Sequence, residues 1–256
     1  MTRDPILEAL TGLGATAPDH LLPAVLTGAG IADGFVTRPS VVGELLVAFG
    51  PRGVTSVGLA NEFDPDEYLR QRGRQALALP APPDPIARHL DAAIEAGRPG
   101  RLAVDLSGVT PFQAEVLRVA ATIPRGEVRS YGWIAGRLGR PGAMRAVGTA
   151  LASNPVPIII PCHRVVRADG RLGDYSLGDP SNKGVLLEHE GLDLPELERL
   201  AARGVRFVAA ARTGVFCHPT CRHARRITRA HRVEFGSAAE AAAAGYRACT
   251  ACRPLG

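Results

Sequence analysis

Residues 154–166 read N-P-V-P-I-I-I-P-C-H-R-V-V, and this stretch decides how the rest of the chain is interpreted. The apolar run over residues 155–160 predicts a buried core segment, and Pro161 ends it. A cysteine and a histidine follow at once, Cys162 and His163. A thiol at the rim of a core with a base beside it is typical of an activated nucleophile.

The segment before this stretch predicts a helix-turn-helix. Thr110-Pro111-Phe112-Gln113 combines an N-cap, a proline at N1 and a capping-box glutamine, and Ser130 can cap a second helix. A third helix is predicted over residues 143–153, after a glycine-containing turn. Its polar face offers one long side chain, Arg145, among small residues such as Gly148. That face suits a narrow minor groove, and a surface helix with one solvated arginine is the alternative.

The N-terminal part of the chain shows no candidate catalytic residue. Residues 1–38 predict two short helices and loops, which we interpret as an N-terminal helical extension. Residues 45–59 predict a β-hairpin around a Gly-Pro turn, and residues 86–96 predict a helix. Residues 102–106 alternate in polarity as a half-buried strand does. We therefore expect a small α/β scaffold domain over residues 39–106.

Composition limits the location and the partners. Hydrophobic residues make up 46% of the 256 residues, which supports a packed core. No apolar run approaches 18 residues and the N-terminus lacks an apolar signal, so we expect a cytoplasmic protein without membrane contact. The net charge is +5, yet residues 203–256 hold ten arginines against two glutamates. This segment favours nucleic acid as partner, with a solvated basic surface as the alternative.

Four of the five cysteines form two close pairs near the C-terminus, Cys217-x3-Cys221 and Cys249-x2-Cys252. Four thiolates in two pairs are the usual tetrahedral zinc arrangement. A domain of about 50 residues needs such added stability, because its own core is small. Unligated thiols or disulfides are the alternatives, and His218 or His223 could replace one cysteine as a ligand.

Residues 110–191 resemble the catalytic domain of the O6-alkylguanine-DNA alkyltransferases. The resemblance rests on blocks in the family's order, listed here with their positions: T-P-F-Q at 110–113, I-P-R-G-E-V at 123–128, S-Y at 130–131, R-A-V-G at 145–148, N-P-V-P-I at 154–158 and P-C-H-R-V-V at 161–166. The family's fold implies a ribonuclease-H-like α/β N-terminal domain before a winged-helix-like catalytic domain. We place the catalytic domain at residues 107–193.

The resemblance implies a role for each matching residue. Cys162 would accept the alkyl group, and His163 with Glu190 would activate it through water. Tyr131 and Arg145 would drive flipping of the base out of the duplex, and the phenol of Tyr131 offers a catalytic proton donor to the departing base. With Arg145, the resemblance implies four further residues for DNA binding: Asn154, Ser176, Lys183 and Gly148. Asn154 would also support the active-site turn. Four residues would line the substrate pocket: Val165, Tyr175, Leu177 and Pro157.

One departure from the family lies in the loop expected to line the pocket. Many members have Tyr-Ser-Gly-Gly where this chain has Tyr175-Ser176-Leu177-Gly178. The added bulk of Leu177 predicts that methyl is accepted well and benzyl poorly.

Residues 204–254 resemble the zinc domain of the bacterial adaptive-response protein Ada. In that domain four cysteines bind Zn²⁺, and the first also accepts a methyl group from DNA methylphosphotriesters; this maps to Cys217. We place the domain at residues 200–256. Two options stay open, phosphotriester repair or a structural zinc clamp for DNA. Four arginines would contact phosphates in either case: Arg222, Arg225, Arg226 and Arg229.

These patterns together predict a three-part α/β + α protein with a small zinc domain built on four cysteines. We expect a monomer that transfers an alkyl group from O6-alkylguanine in double-stranded DNA to Cys162, irreversibly and once per molecule. The transfer itself needs no cofactor, since the chain has no phosphate-binding glycine loop. The alternatives are a non-catalytic lesion sensor with a structural zinc module, and a cysteine hydrolase that uses Cys162, His163 and Glu190.

Overall fold

The computed structural model describes residues 18–19 and 21–255. Most of the two-helix prediction for residues 1–38 therefore falls outside the described residues. Within them, helix α1 spans Leu21–Gly28. Among the described helices, none has both the length and the apolar character needed to cross a bilayer.

A four-stranded sheet forms the N-terminal part. Its strands are β1 (Asp33–Ser40), β2 (Gly43–Gly50), β3 (Gly53–Leu59) and β4 (Ala76–Ala78), in the order β3-β2-β1-β4. The β2–β3 pair is antiparallel and confirms the predicted hairpin, while β1 and β4 are parallel. Because β1 begins at Asp33, the sheet includes residues that the sequence analysis placed in the N-terminal extension.

Two helices accompany this sheet, α2 (Pro65–Arg72) and α3 (Asp84–Ala96). Helix α3 confirms the helix predicted over residues 86–96, and it buries Ile86, Leu90 and Ala93 in the main core. It ends at Gly97, whose φ of 56° is the left-handed cap that glycine adopts readily.

The strand predicted over residues 102–106 is wrong. Only an isolated parallel bridge joins Val104 to Val54. Turns on both sides limit it, because the Leu102 amide donates to the Pro99 carbonyl and the Asp105 carboxylate accepts from the Ser107 amide.

Three helices build the next part: α4 (Pro111–Ala120), α5 (Tyr131–Arg137) and α6 (Met144–Ala152). The hydroxyls of Thr110 and Ser130 cap α4 and α5 as predicted. The side-chain amide of Gln113 does not complete a capping box. It donates to the Ser153 carbonyl over 2.8 Å and so ties α4 to the end of α6.

The active-site stretch leads into a parallel two-stranded pair, β5 (Arg129–Ser130) with β6 (Val165–Val166). Helices α7 (Asn182–His189) and α8 (Leu194–Ala202) follow. A second four-stranded sheet completes the fold. Its strands are β7 (Phe207–Ala210), β8 (Val215–Cys217), β9 (Arg232–Phe235) and β10 (Arg247–Ala248), in the order β10-β8-β7-β9. Helix α9 (Ala238–Ala243) lies between β9 and β10 in the chain. We call residues 204–255 the cysteine module.

Candidate active site and metal centre

Asn154 fixes the turn that carries Cys162. Its carbonyl oxygen accepts from the Val156 amide at 3.0 Å, and its amide nitrogen donates to the Ile160 carbonyl at 2.9 Å and to Cys162 Sγ at 3.2 Å. Within the turn between Asn154 and Cys162, Ile158 has a φ of 67°, a strained value for a β-branched residue. Asn154 itself is buried, so the structure gives it this bracing position and corrects its assignment to the DNA-binding set.

Three side chains meet behind the cysteine. His163 Nε2 lies 2.8 Å from Glu190 Oε1, and the Arg164 guanidinium donates to both oxygens of Glu190 at 2.7–3.0 Å. Arg164 also donates to the carbonyls of Ala96 and Ile123. Glu190 is therefore held between α3, the segment after α4 and the end of α7. No sequence signal points to this role of Arg164, although it directly follows His163.

Protonation at the site is set mainly by burial. Burial raises the pKa of the Cys162 thiol, although the Asn154 amide lowers it in part. Burial also lowers the pKa of His163 below 6.5, so the imidazole is neutral at pH 7. Burial alone would raise the pKa of Glu190, but hydrogen bonds from His163 and Arg164 outweigh it and hold the pKa at about 2. The resting state is a thiol beside a neutral base and an ionised carboxylate.

The remaining imidazole nitrogen, His163 Nδ1, is buried and makes no hydrogen bond with the described residues. Because Nε2 faces the carboxylate of Glu190, Nε2 carries the proton in the neutral tautomer and Nδ1 is the free base. This arrangement can take a proton from a neighbouring thiol.

Lys183, predicted to contact DNA, is buried instead. Its ammonium donates to the carbonyls of Val165 at 2.7 Å, Leu172 at 2.5 Å and Asp174 at 3.3 Å. These bonds hold the loop over residues 165–174 against α7, so the ammonium is not available to a phosphate. Burial lowers its pKa to about 8.

A cavity of about 300 Å³ opens above the thiol. The structure places four predicted site residues around it with Cys162, namely Tyr131, Gly148, Tyr175 and Ser176. Leu151, Ala152 and Asp174 also line it, and no sequence signal singles them out. Burial raises the pKa of the half-buried Tyr131 phenol, which therefore stays protonated at neutral pH.

Three residues predicted to line the pocket are not part of its wall. Val165 and Pro157 are buried and do not line the cavity. Leu177 is buried in the main core, and it lies next to Gly178, which approaches the side chain of Leu59. The bulk of Leu177 therefore does not narrow the cavity. The prediction that benzyl groups are accepted poorly has no support from the position of Leu177.

Helix α6 places Arg145 on the protein surface, one turn before Gly148 at the cavity wall. A Cβ atom added to Gly148 would lie 3.9 Å from the Tyr131 ring. The helix thus presents one exposed cation beside a smooth approach to the thiol.

The four cysteines of the cysteine module converge. The Sγ atoms of Cys217, Cys221, Cys249 and Cys252 all lie within 4.8 Å of one another, and all four residues are buried. Four thiolates at this spacing fit tetrahedral Zn²⁺. Neither His218 nor His223 belongs to the group, so the histidine alternatives do not apply to this arrangement.

A groove of about 540 Å³ reaches one side of this centre. Cys217 and Cys249 are part of its wall, whereas Cys221 and Cys252 are not. Three arginines also line it: Arg212, Arg226 and Arg247. The groove therefore joins a ligand thiol to a strongly cationic wall.

Helices α4 to α6 and the buried side chains of Cys162, His163 and Glu190 all lie in a part of the chain that matches a known family domain. Residues 111–192 match the family described as "6-O-methylguanine DNA methyltransferase, DNA binding domain". Residues 198–254 match the "Metal binding domain of Ada". The solved structure of Mycobacterium tuberculosis OGT in complex with DNA is 34% identical, with a TM-score of 0.51 over 64% of this chain and 99% of that one.

Two curated relatives carry the name methylated-DNA–protein-cysteine methyltransferase. The protein from Shigella flexneri is 52% identical over 85 residues, which are 33% of this chain and 49% of the relative. The protein from Mycobacterium tuberculosis is 53% identical over 87 residues, which are 34% of this chain and 52% of the relative. The matched region thus spans about half the length of these relatives. The chain belongs to the methylated-DNA–protein-cysteine methyltransferase family and carries an Ada-type metal-binding domain after the family's DNA-binding domain.

Proposed function

We propose that the protein repairs double-stranded DNA by moving the methyl group of O6-methylguanine onto Cys162, irreversibly and once per molecule. The observation that carries this proposal is the position of the Cys162 thiol, which lies at a cavity of about 300 Å³ and directly precedes the His163–Glu190 pair. The names and DNA complex of the relatives support the same reaction.

The chemistry follows from the protonation of the site. His163 Nδ1 takes the thiol proton, directly or through one water, and Glu190 stabilises the imidazolium that forms. The thiolate attacks the methyl carbon, a carbon–sulfur bond forms and the bond from carbon to guanine O6 breaks. The protonated phenol of Tyr131 donates a proton to the departing base, which leaves as neutral guanine. The proton that His163 took from the thiol then returns to the Tyr131 oxygen through solvent, so both groups end in their resting protonation states. No group in the site can cleave the resulting thioether, so each molecule reacts once.

A lesion inside the duplex must leave the stack to reach the cavity. Helix α6 would enter the minor groove with its small-residue face, and Arg145 would occupy the space that the flipped base vacates. The arginines of the cysteine module, Arg222, Arg225, Arg226 and Arg229, would contact the phosphates. We expect the protein to act as a monomer.

The same proposal covers the finer description of the fold. We assign the sheet with α2 and α3 to a ribonuclease-H-like scaffold domain, and the part from α4 to α7 to a winged-helix-like catalytic domain. The scaffold would begin near residue 33 rather than 39, because β1 belongs to the sheet. The catalytic domain would span residues 107–193 and the zinc domain residues 200–256.

A second function concerns Cys217. Zinc would hold it as a reactive thiolate, and the cationic groove that it lines could receive a methylphosphotriester. Methyl acceptance at this site is one candidate, and a structural zinc clamp for DNA is the other. Methylphosphotriester DNA without a base lesion distinguishes them, because only the first candidate adds a methyl group to Cys217.

Stoichiometry tests the main function. Excess duplex with O6-methylguanine is incubated with a known amount of protein, and restored guanine is counted by chromatography. We expect one guanine per protein molecule, followed by no further repair. Several guanines per molecule would contradict a single-turnover reaction, whereas lesion binding without repair would identify a sensor. Ester hydrolysis without DNA would identify a cysteine hydrolase.

A further inference from the structure

The turn over residues 124–129 contacts the active site with one edge. The Gly126 amide donates to Glu190 Oε2 at 3.0 Å. A Cβ atom at Gly126, where φ is 70°, would lie 2.8 Å from the Glu190 carbonyl oxygen. The hydrogen bond from the Gly126 amide holds the Glu190 carboxylate that faces His163. Displacement of the turn would break this hydrogen bond.

The opposite edge of the same turn contacts the cysteine module. The Val128 amide donates to the Thr220 hydroxyl at 2.9 Å, and the Arg222 amide donates to Glu127 Oε1 at 3.0 Å. Glu127 also pairs with Arg129, and all the side chains in this contact are buried apart from Arg222. Thr220 and Arg222 are the two neighbours of Cys221.

The second cysteine pair is connected to the catalytic part as well. Arg253, which follows Cys252, accepts a hydrogen bond with its carbonyl from Trp133 Nε1 at 2.9 Å. Helix α8 packs on both sides, with Leu197 among the apolar residues around Val128 and Leu200 among the cysteines. The residues next to Cys221 and Cys252, one cysteine of each pair, therefore connect the cysteine module to the catalytic part.

We propose that the cysteine module is a structural support of the alkyl-acceptor site, with Thr220 as the positioning residue that transmits it. The metal-ordered loop around Cys221 fixes Val128 and Glu127, and these residues keep the Gly126 amide on Glu190. Without this contact the Val128 amide is buried without a partner and the Glu127 carboxylate keeps only its pair with Arg129, which favours local opening of the turn. The inference rests on the proposed function for its effect on transfer, but not for its effect on the turn.

Thr220→Val tests the contact in the full-length zinc-loaded protein, because it removes the hydroxyl at nearly constant shape. Thr220→Ser keeps the hydroxyl, and Thr37→Val changes an exposed threonine of β1 that belongs to neither site. Hydrogen exchange at the Val128 and Gly126 amides is measured together with the methyl-transfer rate at saturating DNA. We expect Thr220→Val to speed exchange at both amides about tenfold and to slow transfer severalfold. We expect both controls to match the parent protein.

Removal of zinc with a chelator gives an independent measurement, and it should accelerate exchange at the same two amides. Faster exchange at Val128 with unchanged exchange at Gly126 would overturn the proposal, because the contact would then be adhesive only. Unchanged exchange at both amides would overturn it as well. If the parent protein transferred no methyl group, the proposed function would fail, yet exchange at Gly126 would still decide whether the module supports the turn.

Discussion

At the scale of single residues, the thiol of Cys162 depends on its neighbours for its reactivity. Burial keeps it protonated, and only His163 offers an unpaired basic nitrogen next to it in the sequence. The base is in turn held by a carboxylate that three donors fix: His163, Arg164 and the Gly126 amide. The thiol therefore stays protonated until His163 takes its proton.

The pH dependence of transfer should follow His163. Burial lowers its pKa below 6.5, so the neutral base is present through the physiological range and is lost only when the pH falls through that lowered pKa. We expect the single-turnover rate at saturating DNA to change little between pH 6.5 and 8 and to fall at lower pH. An acid limb centred above pH 6.5 would contradict this assignment of the base.

Asn154 should matter for both stability and rate. Asn154→Ala leaves the Val156 amide without its acceptor, and we expect a loss of about 2 kcal/mol in the free energy of unfolding. It also removes the donor to Cys162 Sγ, so we expect transfer to slow about tenfold or more. Asn154→Asp is the matched variant, because it keeps the acceptor and removes the donor. Urea unfolding measures the free energy of unfolding, and quenched-flow assays measure the transfer rate. A transfer rate for Asn154→Asp equal to that of the parent protein would show that the contact with Cys162 Sγ is unimportant.

Adjacency in the sequence was enough to suggest Cys162 and His163 as partners. It could not suggest the positions of Arg164 and Lys183, because their bonds go to oxygens of residues that are 9 to 68 positions away in the chain. Both are cations that the core accepts only because each finds several oxygens. The same three-dimensional packing turns Leu177 into the core and away from the cavity.

At the scale of elements, α6 is the part of the chain that would meet DNA. Its exposed Arg145 stands alone beside the small residues that lead to the cavity. A single cation of this kind can replace a flipped base but can hardly read a sequence, since base readout needs several polar side chains. We therefore expect little dependence on the sequence around the lesion.

Arg145→Ala should slow repair of duplex DNA about tenfold or more, because the empty base position is no longer filled. The loss should be much smaller with single-stranded DNA, in which no stack must be broken. Arg118→Ala, at an exposed position of α4, controls for the loss of one positive charge. Equal losses on single-stranded and duplex DNA would indicate a simple phosphate contact in place of a role in flipping.

Helix boundaries were the most predictable elements. Thr110, Ser130 and Gly97 carry local signals that need no tertiary contact, and the structure uses each of them as a cap. The segment over residues 102–106 has the polarity of a strand, but flanking turns leave it with one bridge. Pairing depends on which neighbour is within reach, and alternation of polarity alone does not contain that information.

At the scale of the whole molecule, the cysteine module is joined to the catalytic part without a free linker. Helix α8 is shared between the two apolar clusters, and the hydrogen bonds of Thr220, Arg222 and Arg253 cross the boundary. The charge distribution favours nucleic acid as a partner of this end of the chain, which stays a prediction. The contact between the cysteine module and the catalytic part could not be predicted, because its hydrogen bonds join residues more than 90 positions apart.

Metal content should be one zinc ion per chain, bound by the four cysteines. We expect Cys221→Ser to reduce zinc content and to destabilise the module, since a large part of its folding free energy would come from the metal. Elemental analysis with thermal unfolding measures both. A zinc-free protein whose module keeps its parent stability would contradict a structural role for the metal.

Intact-protein mass spectrometry with peptide mapping tests the central claim most directly. The protein is incubated with a duplex that holds one O6-methylguanine, beside the Cys162→Ser variant and an undamaged duplex. We predict the gain of one methyl group on the peptide that contains Cys162, and no gain in the variant or with undamaged DNA. An unchanged mass for the parent protein, or a methyl group on another residue, would contradict the account.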